Sequence, residues 1–427
     1  MTSVPPTPRS ADRFRLILAM IPALGLAFVL SQFLRSVPAV IAPDLRAELD
    51  LTAAQLSALP AALFFGSAIM QLPSGVLLDR FGPRRTIAAF LLLTASGVAG
   101  FAFAKTSTGL TMALLVTGWG IAPVFMGMIV LISRWTPRDR LATATACAVG
   151  IGGMGMLLSA SPFASATEAF GWRMTLAAVA GVALLLSLAV LFTVRDRPPD
   201  ARQVVGPTET LIDTIRGLVI IFREPRIYAL GTISAMTVGS FLTFRALWVG
   251  PYLNDTFDAG LIERGHIIFF ISLAWLVSAV AIGPLDRVFD TRRGIVTIGA
   301  LSMALWFAVL AAAGNTTILM VTVAMVLLGL SSGLSSPIFA HARSLFPDRY
   351  VGRVVTAINL FVWGGVFLVQ VGTGLLINAF PADAQGHSPF IAYQVMFGVL
   401  AVLLVLALMV YRRIEDVPPS RDTGEPV

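Results

Sequence analysis

Long apolar stretches separated by short polar loops dominate the chain. Twelve reach spanning length, at 16–40, 53–78, 86–104, 109–133, 141–164, 172–194, 227–250, 265–285, 294–313, 316–341, 352–379 and 390–411. Each is near the roughly 20 residues that a helix needs to cross a hydrocarbon core about 30 Å thick. An open strand edge would leave backbone groups unsatisfied in lipid, so the pattern predicts an all-α membrane protein with twelve transmembrane helices. The longest polar stretch, Arg195 to Arg226, divides them six and six. It opens RDRPPDARQ, which reads as a linker, and continues TETLIDTIRGLVIIF, an amphipathic segment expected to lie on the membrane surface. The predicted organisation is a tail at 1–15, a six-helix bundle at 16–194, the linker at 195–226, a second bundle at 227–411 and a tail at 412–427.

Composition supports this. Of 427 residues, 57% are hydrophobic and only 12% charged, against about 25% charged in a soluble domain. Too little charge remains to cover a water-facing surface. The basic residues are one-sided. With the N-terminus inside, 24 of the 30 fall in the tails and the five loops on that side. Arg35, Arg46, Lys105, Arg173, Arg245 and Arg264 are the others. This asymmetry predicts both termini in the cytoplasm, in a chain that passes repeatedly through the membrane. It also makes the net charge of +7 a set of dispersed orientation signals, which argues against a nucleic-acid partner. The N-terminal MTSVPPTPRSADRFR enters the first apolar run without a small-residue cleavage site, so no signal peptide is read. The single cysteine, Cys147, excludes an intramolecular disulfide and a cysteine-pair metal site. No cofactor is expected.

Between helices two and three stands QLPSGVLLDRFGPRRT. Gly75, Leu77, Asp79, Arg80, Gly82, Arg84 and Arg85 resemble the G-x-L-x-D-R-x-G-x-R-R signature of the major facilitator superfamily. Gly82 suits a tight reversal of the chain, and Asp79 could pair with an arginine or a helix N-terminus, latching an inner gate. A worn copy, GPLDRVFDTRRG, follows helix eight, with Asp286, Arg287, Arg292 and Arg293 but Asp290 where glycine is expected. The resemblance covers roughly Arg13 to Arg413. It implies two pseudo-symmetric six-helix bundles around a central site that opens to alternate sides, in a monomer that transports a small solute and is not an enzyme. The chain departs from two other patterns of the family. Leu114 stands in helix four where an arginine is usual, and helix five has Gly150, Gly152, Gly153 and Gly155, with Pro162 late, instead of the proton-antiporter motif. Those glycines suit close helix packing.

Arg35 lies about 28 Å along helix one from Leu16, at 1.5 Å per residue, so it sits within the membrane. An arginine at the bilayer centre costs about 2.5 kcal/mol or more, which favours a wet cavity, with snorkelling to the outer headgroups as the alternative. The spacing from Arg35 to Pro43 and Leu45 resembles helix one of organophosphate:phosphate antiporters and related organic-anion carriers, and that resemblance implies an anion-binding arginine. Helix seven, the repeat partner, has Arg245 followed by Pro251 and Leu253. Two guanidiniums facing each other would form a strong anion site.

No Asp or Glu falls well inside the twelve segments, so His266 is the candidate for ion coupling, with an interfacial histidine as the alternative. Gln32, Gln71, Trp119, Trp248, Asn359, Trp363 and Gln370 are candidates to orient a substrate, each equally readable as packing. The methionines of two MGM stretches point to different helix faces and favour core filling over a metal site. The reading is a secondary transporter of a small, anionic solute with Arg35 and Arg245 as charge partners. A carrier of neutral or metal cargo with structural arginines, and a non-transporting receptor or assembly factor, remain the alternatives.

Overall fold

A computed structural model of the chain describes residues 10–136, 141–196, 219–282, 285–314, 316–346, 351–383 and 387–421. The described residues form helices and connecting turns, without strands. We number the spans α1 to α12 and letter the pieces of broken ones. They are α1a (Ser10–Leu34) and α1b (Val37–Leu49), α2a (Ala53–Ile69) and α2b (Gln71–Phe81), α3 (Pro83–Phe103), α4 (Ser107–Trp135), α5a (Leu141–Leu158) and α5b (Ser161–Phe170), and α6 (Trp172–Thr193). The second set is α7a (Pro225–Thr243) and α7b (Val249–Phe257), α8 (Leu261–Ala281), α9 (Arg292–Ala312), α10a (Ile318–Ser331) and α10b (Ser335–Leu345), α11 (Val351–Asn378) and α12 (Phe390–Tyr411). Among the described residues, nine spans are long and apolar enough to cross a membrane as they stand, and α1a with α1b makes a tenth, bent by 41°. The other two, α2 and α5, are each divided into shorter helices. Most of the amphipathic segment expected after Arg195 lies outside the described residues.

Proline sets the breaks. It has no N–H to donate to the carbonyl four residues back. Pro38, Pro73 and Pro162 stand four residues after Leu34, Ile69 and Leu158, the last residues of α1a, α2a and α5a. In α7, Pro251 stands four after Leu247, and there the helix widens into a π-turn, Phe244–Trp248. Elsewhere the chain packs closely through glycine. A side chain at Gly155 would meet the Val29 carbonyl, and one at Gly152 the Phe28 ring, so α5a lies against α1a.

One end of the bundle carries Arg84, Arg134, Arg292, Arg293, Arg412 and Arg413; we call it the arginine-rich end. At the opposite, far end the two halves close on each other. Gly250 of α7b sits on the Ala39 carbonyl of α1b, Gly265 of α8 against Ala164 of α5b, and Gly374 of α11 against Ser57 of α2a. Two ion pairs cross the same seam, Arg46 to Asp255 at 2.9 Å and Arg264 to Asp44 at 3.4 Å.

Candidate functional site

Halfway along the bundle the breaks in α1, α5 and α7 meet. Arg35 lies in the turn between α1a and α1b and is 7% exposed. Its Nη1 donates to Ser67 Oγ of α2a at 3.4 Å, and its Cζ lies 4.4 Å from the ring centre of Trp363 on α11 and 5.7 Å from that of Phe64. Phe64 and Trp363 stack at 5.7 Å across the seam. The guanidinium therefore turns inward, onto aromatic faces that attract a cation, with no carboxylate paired with it among the described residues.

Arg245 lies in the π-turn of α7 and is wholly buried. Its Nε donates to Ser272 Oγ of α8 at 2.8 Å, its Nη1 to Ser36 Oγ at 2.6 Å and its Nη2 to the Met156 carbonyl at 3.0 Å. Ser36 and Met156 belong to the opposite half. The Ala160 N–H turns to Leu157 where α5a ends, which leaves the Met156 carbonyl to Arg245 and to the Ser159 hydroxyl, which donates to it at 2.8 Å. Both arginines face the interior, and the alternative of snorkelling to the headgroups does not describe either. They differ in that all three arms of Arg245 are engaged by neutral partners.

The other candidates fall into groups. Gln370 is fully buried on α11, two turns beyond Trp363, and neither of its amide atoms has a partner. The Trp119 indole N–H is likewise buried without one. Gln71 is buried at the start of α2b, while Gln32 and Asn359 are half-buried. Trp248 is fully buried and its indole N–H is spent on Thr373 Oγ1 at 2.8 Å, inside its own half. His266 is exposed on the first turns of α8, so its ring is not part of the sheltered set around the arginines.

At the arginine-rich end, Gly82 turns the chain with φ +81°, a value that glycine adopts without strain. Arg84 donates through Nε to the Leu191 carbonyl at 2.6 Å. Arg80 lies over the Phe81 ring and Arg85 is exposed, while Gly75 is half-buried within α2b. The side chains of Asp79 and Arg287 lie outside the described set. The acidic group seen at this turn is Asp196, just after α6, whose Oδ1 accepts the Arg84 N–H at 2.7 Å. The second half repeats the device. Asp416, just after α12, accepts the N–H groups of Arg292 and Arg293 at 3.3 and 3.0 Å and the Thr291 hydroxyl at 2.5 Å. Each carboxylate thus sits on the positive N-terminus of a helix, α3 or α9. Burial opposes the charge of Asp416, but the Thr291 hydroxyl and the two backbone donors outweigh it and hold its carboxyl below the usual range. Asp286 pairs with Arg292 at 3.7 Å.

Sequence reasoning missed Asp255. The seventh helix extends to Phe257, beyond the boundary expected at 250, and carries this carboxylate inside it, 1% exposed. It accepts from Arg46, from the Ser388 N–H at 2.9 Å and from the Tyr393 hydroxyl at 2.7 Å. Nothing in one sequence links these residues, which lie up to 347 positions apart by number.

A membrane bundle in two six-helix halves, with a sheltered cationic seam at mid-depth, defines a secondary transporter. The family model described as Major Facilitator Superfamily matches residues 24–370 and 249–427, and the chain belongs to that family. It is 26% identical over 389 residues to the gentisate transporter of Corynebacterium glutamicum, covering 86% of this chain and 81% of that one. With the hexuronate transporter of Escherichia coli it shares 23% over 412 residues, covering 91% and 93%. Among solved structures, a D-xylose-proton symporter superposes with a TM-score of 0.74 at 17% identity, covering 93% of this chain and 98% of that one. The chain is a multi-pass membrane transporter of a small solute, with no enzymatic role.

Proposed function

We propose that the chain carries a small organic anion across the bacterial inner membrane by alternating access, as a monomer with both termini in the cytoplasm. The arginine-rich end then faces the cytoplasm, in line with the charge asymmetry of the loops. The observation that carries the anion reading is Arg35: a sheltered guanidinium at mid-depth, held by one long hydrogen bond and aromatic faces, with no acidic partner among the described residues. Such a group is a strong bidentate partner for a carboxylate or phosphate. The gentisate and hexuronate carriers that the chain resembles are named for carboxylates, which supports the same class here. Gln370, Trp119, Gln32, Gln71, Asn359 and Trp363 would complete the pocket, the first two by offering unpaired polar atoms. The turn at Gly82 with Arg84, Arg85 and Asp79, and its copy at Asp286 and Arg287, would gate the cytoplasmic side. The bundles would span 16–194 and 227–411, joined by a linker at 195–226.

The test is thermal stabilisation of the purified protein by a panel of carboxylates, phosphate esters and neutral sugars, followed by uptake in proteoliposomes. Anions should stabilise the wild type, and Arg35→Gln should remove that effect and cut uptake by at least tenfold. Stabilisation by neutral compounds alone, or full uptake in Arg35→Gln, would refute the proposal.

A further inference from the structure

Arg245 stands where an anion-binding residue would stand, yet its donors are occupied. Two of its three hydrogen bonds cross the seam, to Ser36 Oγ and to the Met156 carbonyl, and the third stays in its own half, on Ser272. Both cross-seam acceptors lie at helix breaks, where prolines free the backbone to bend. Beyond this level, toward the far end, Gly250 rests on Ala39, and the Arg46–Asp255 and Arg264–Asp44 pairs close the seam. Separating α1b from α7b and α8 to open the far end breaks the Ser36 bond and the two ion pairs together, and moving α5 away breaks the Met156 bond. Arg245 is then left with Ser272 alone and two free arms. A guanidinium stripped of acceptors is strongly unfavourable while it stays sheltered, so water or an entering anion must replace them.

Resting on the anion reading above, we infer that Arg245 alternates between two roles: a strut that holds the far end closed when the site is empty, and a second anion ligand when the far end is open. An anion entering from the far side meets two guanidiniums, Arg245 and Arg35. On closure the Ser36 hydroxyl and the Met156 carbonyl reclaim Arg245, and the anion is left with Arg35 on the way to the arginine-rich end. A ligand shifts a conformational equilibrium only by its differential affinity for the two states, and here the difference is one guanidinium. The empty carrier therefore rests with its far end closed, and the anion itself favours opening toward the side from which it comes.

The experiment places spin labels at Ala47→Cys on α1b and Glu263→Cys on α8, both exposed, in a Cys147→Ser background. Their distance distribution reports far-end opening, without ligand and with benzoate as a simple carboxylate probe. Benzoate should raise the open fraction of the otherwise wild-type protein. Arg245→Gln should raise the ligand-free ratio of open to closed by roughly tenfold, as loss of charge-assisted hydrogen bonds implies, and should no longer respond to benzoate. Ser36→Ala, a milder change that keeps the arginine, should raise the resting ratio and keep the response. Arg35→Gln, which also gives up the contact with Trp363 across the seam, should lose the response. An unchanged resting distribution in both Arg245→Gln and Ser36→Ala overturns the strut role. A benzoate response that survives in Arg245→Gln overturns the ligand role. If benzoate leaves the wild-type distances and the panel leaves its melting temperature unmoved, the anion reading fails and the ligand role with it, while the resting distributions still decide the strut.

Discussion

Gln370 places both amide atoms in the interior without a partner, at the level where α11 crosses the seam. Leaving a buried polar group unsatisfied costs about 1–3 kcal/mol, which a transporter tolerates where a solute will supply the missing bonds. Gln370→Leu should therefore hold or raise the melting temperature of the empty protein while weakening uptake of the anion. A fall of several degrees would assign Gln370 to structure instead. At this scale the sequence was partly legible. A charge such as Arg35 inside an apolar run is conspicuous from its cost; that cost favours an inward direction, while snorkelling stayed open until the structure buried the side chain. The division of labour between Arg35 and Arg245 was not legible, because it depends on Ser36, Met156 and Ser272, uncharged residues that look like any others along the chain.

Among the elements, the two halves use the same joints. At the far end the Trp172 indole N–H donates to Glu48 at 2.7 Å, tying α6 to α1b, and the Tyr393 hydroxyl donates to Asp255 at 2.7 Å, tying α12 to α7b. At the other end Asp196 and Asp416 cap α3 and α9. For Asp416, which faces Arg292, Arg293 and His341, the folded carboxyl holds its proton less tightly than an ordinary aspartate. Its contribution to stability is present above the unfolded value near about 4 and is lost as pH falls through the folded one. The melting-temperature gap between wild type and Asp416→Asn should be open at pH 7 and should narrow below about pH 4; a gap independent of pH would count against this role. The helices themselves were plain from apolar run length. Their breaks were written in Pro38, Pro73, Pro162 and Pro251, a signal that a reading by run length passes over. The placement of Asp255 failed for a related reason, since α7 continues past a polar boundary because its far end is buried by protein.

For the molecule as a whole, the fold was the most legible level, since lipid permits few architectures. Arg413, exposed just after α12 at the arginine-rich end, gives a check on sidedness as Arg413→Cys in a Cys147→Ser background. A membrane-impermeant maleimide should label it in inverted vesicles and spare it in right-side-out ones; the reverse would turn the protein over. The carboxylates after α6 and α12 have one more implication. Each returns from the end of its bundle to rivet the start of the bundle's third helix, so the last helix is stitched back onto the third at that end. A body fastened in this way resists internal shear, and motion is confined to the slot between two stiff blocks, much as a clamshell moves at its lips while its valves keep their shape.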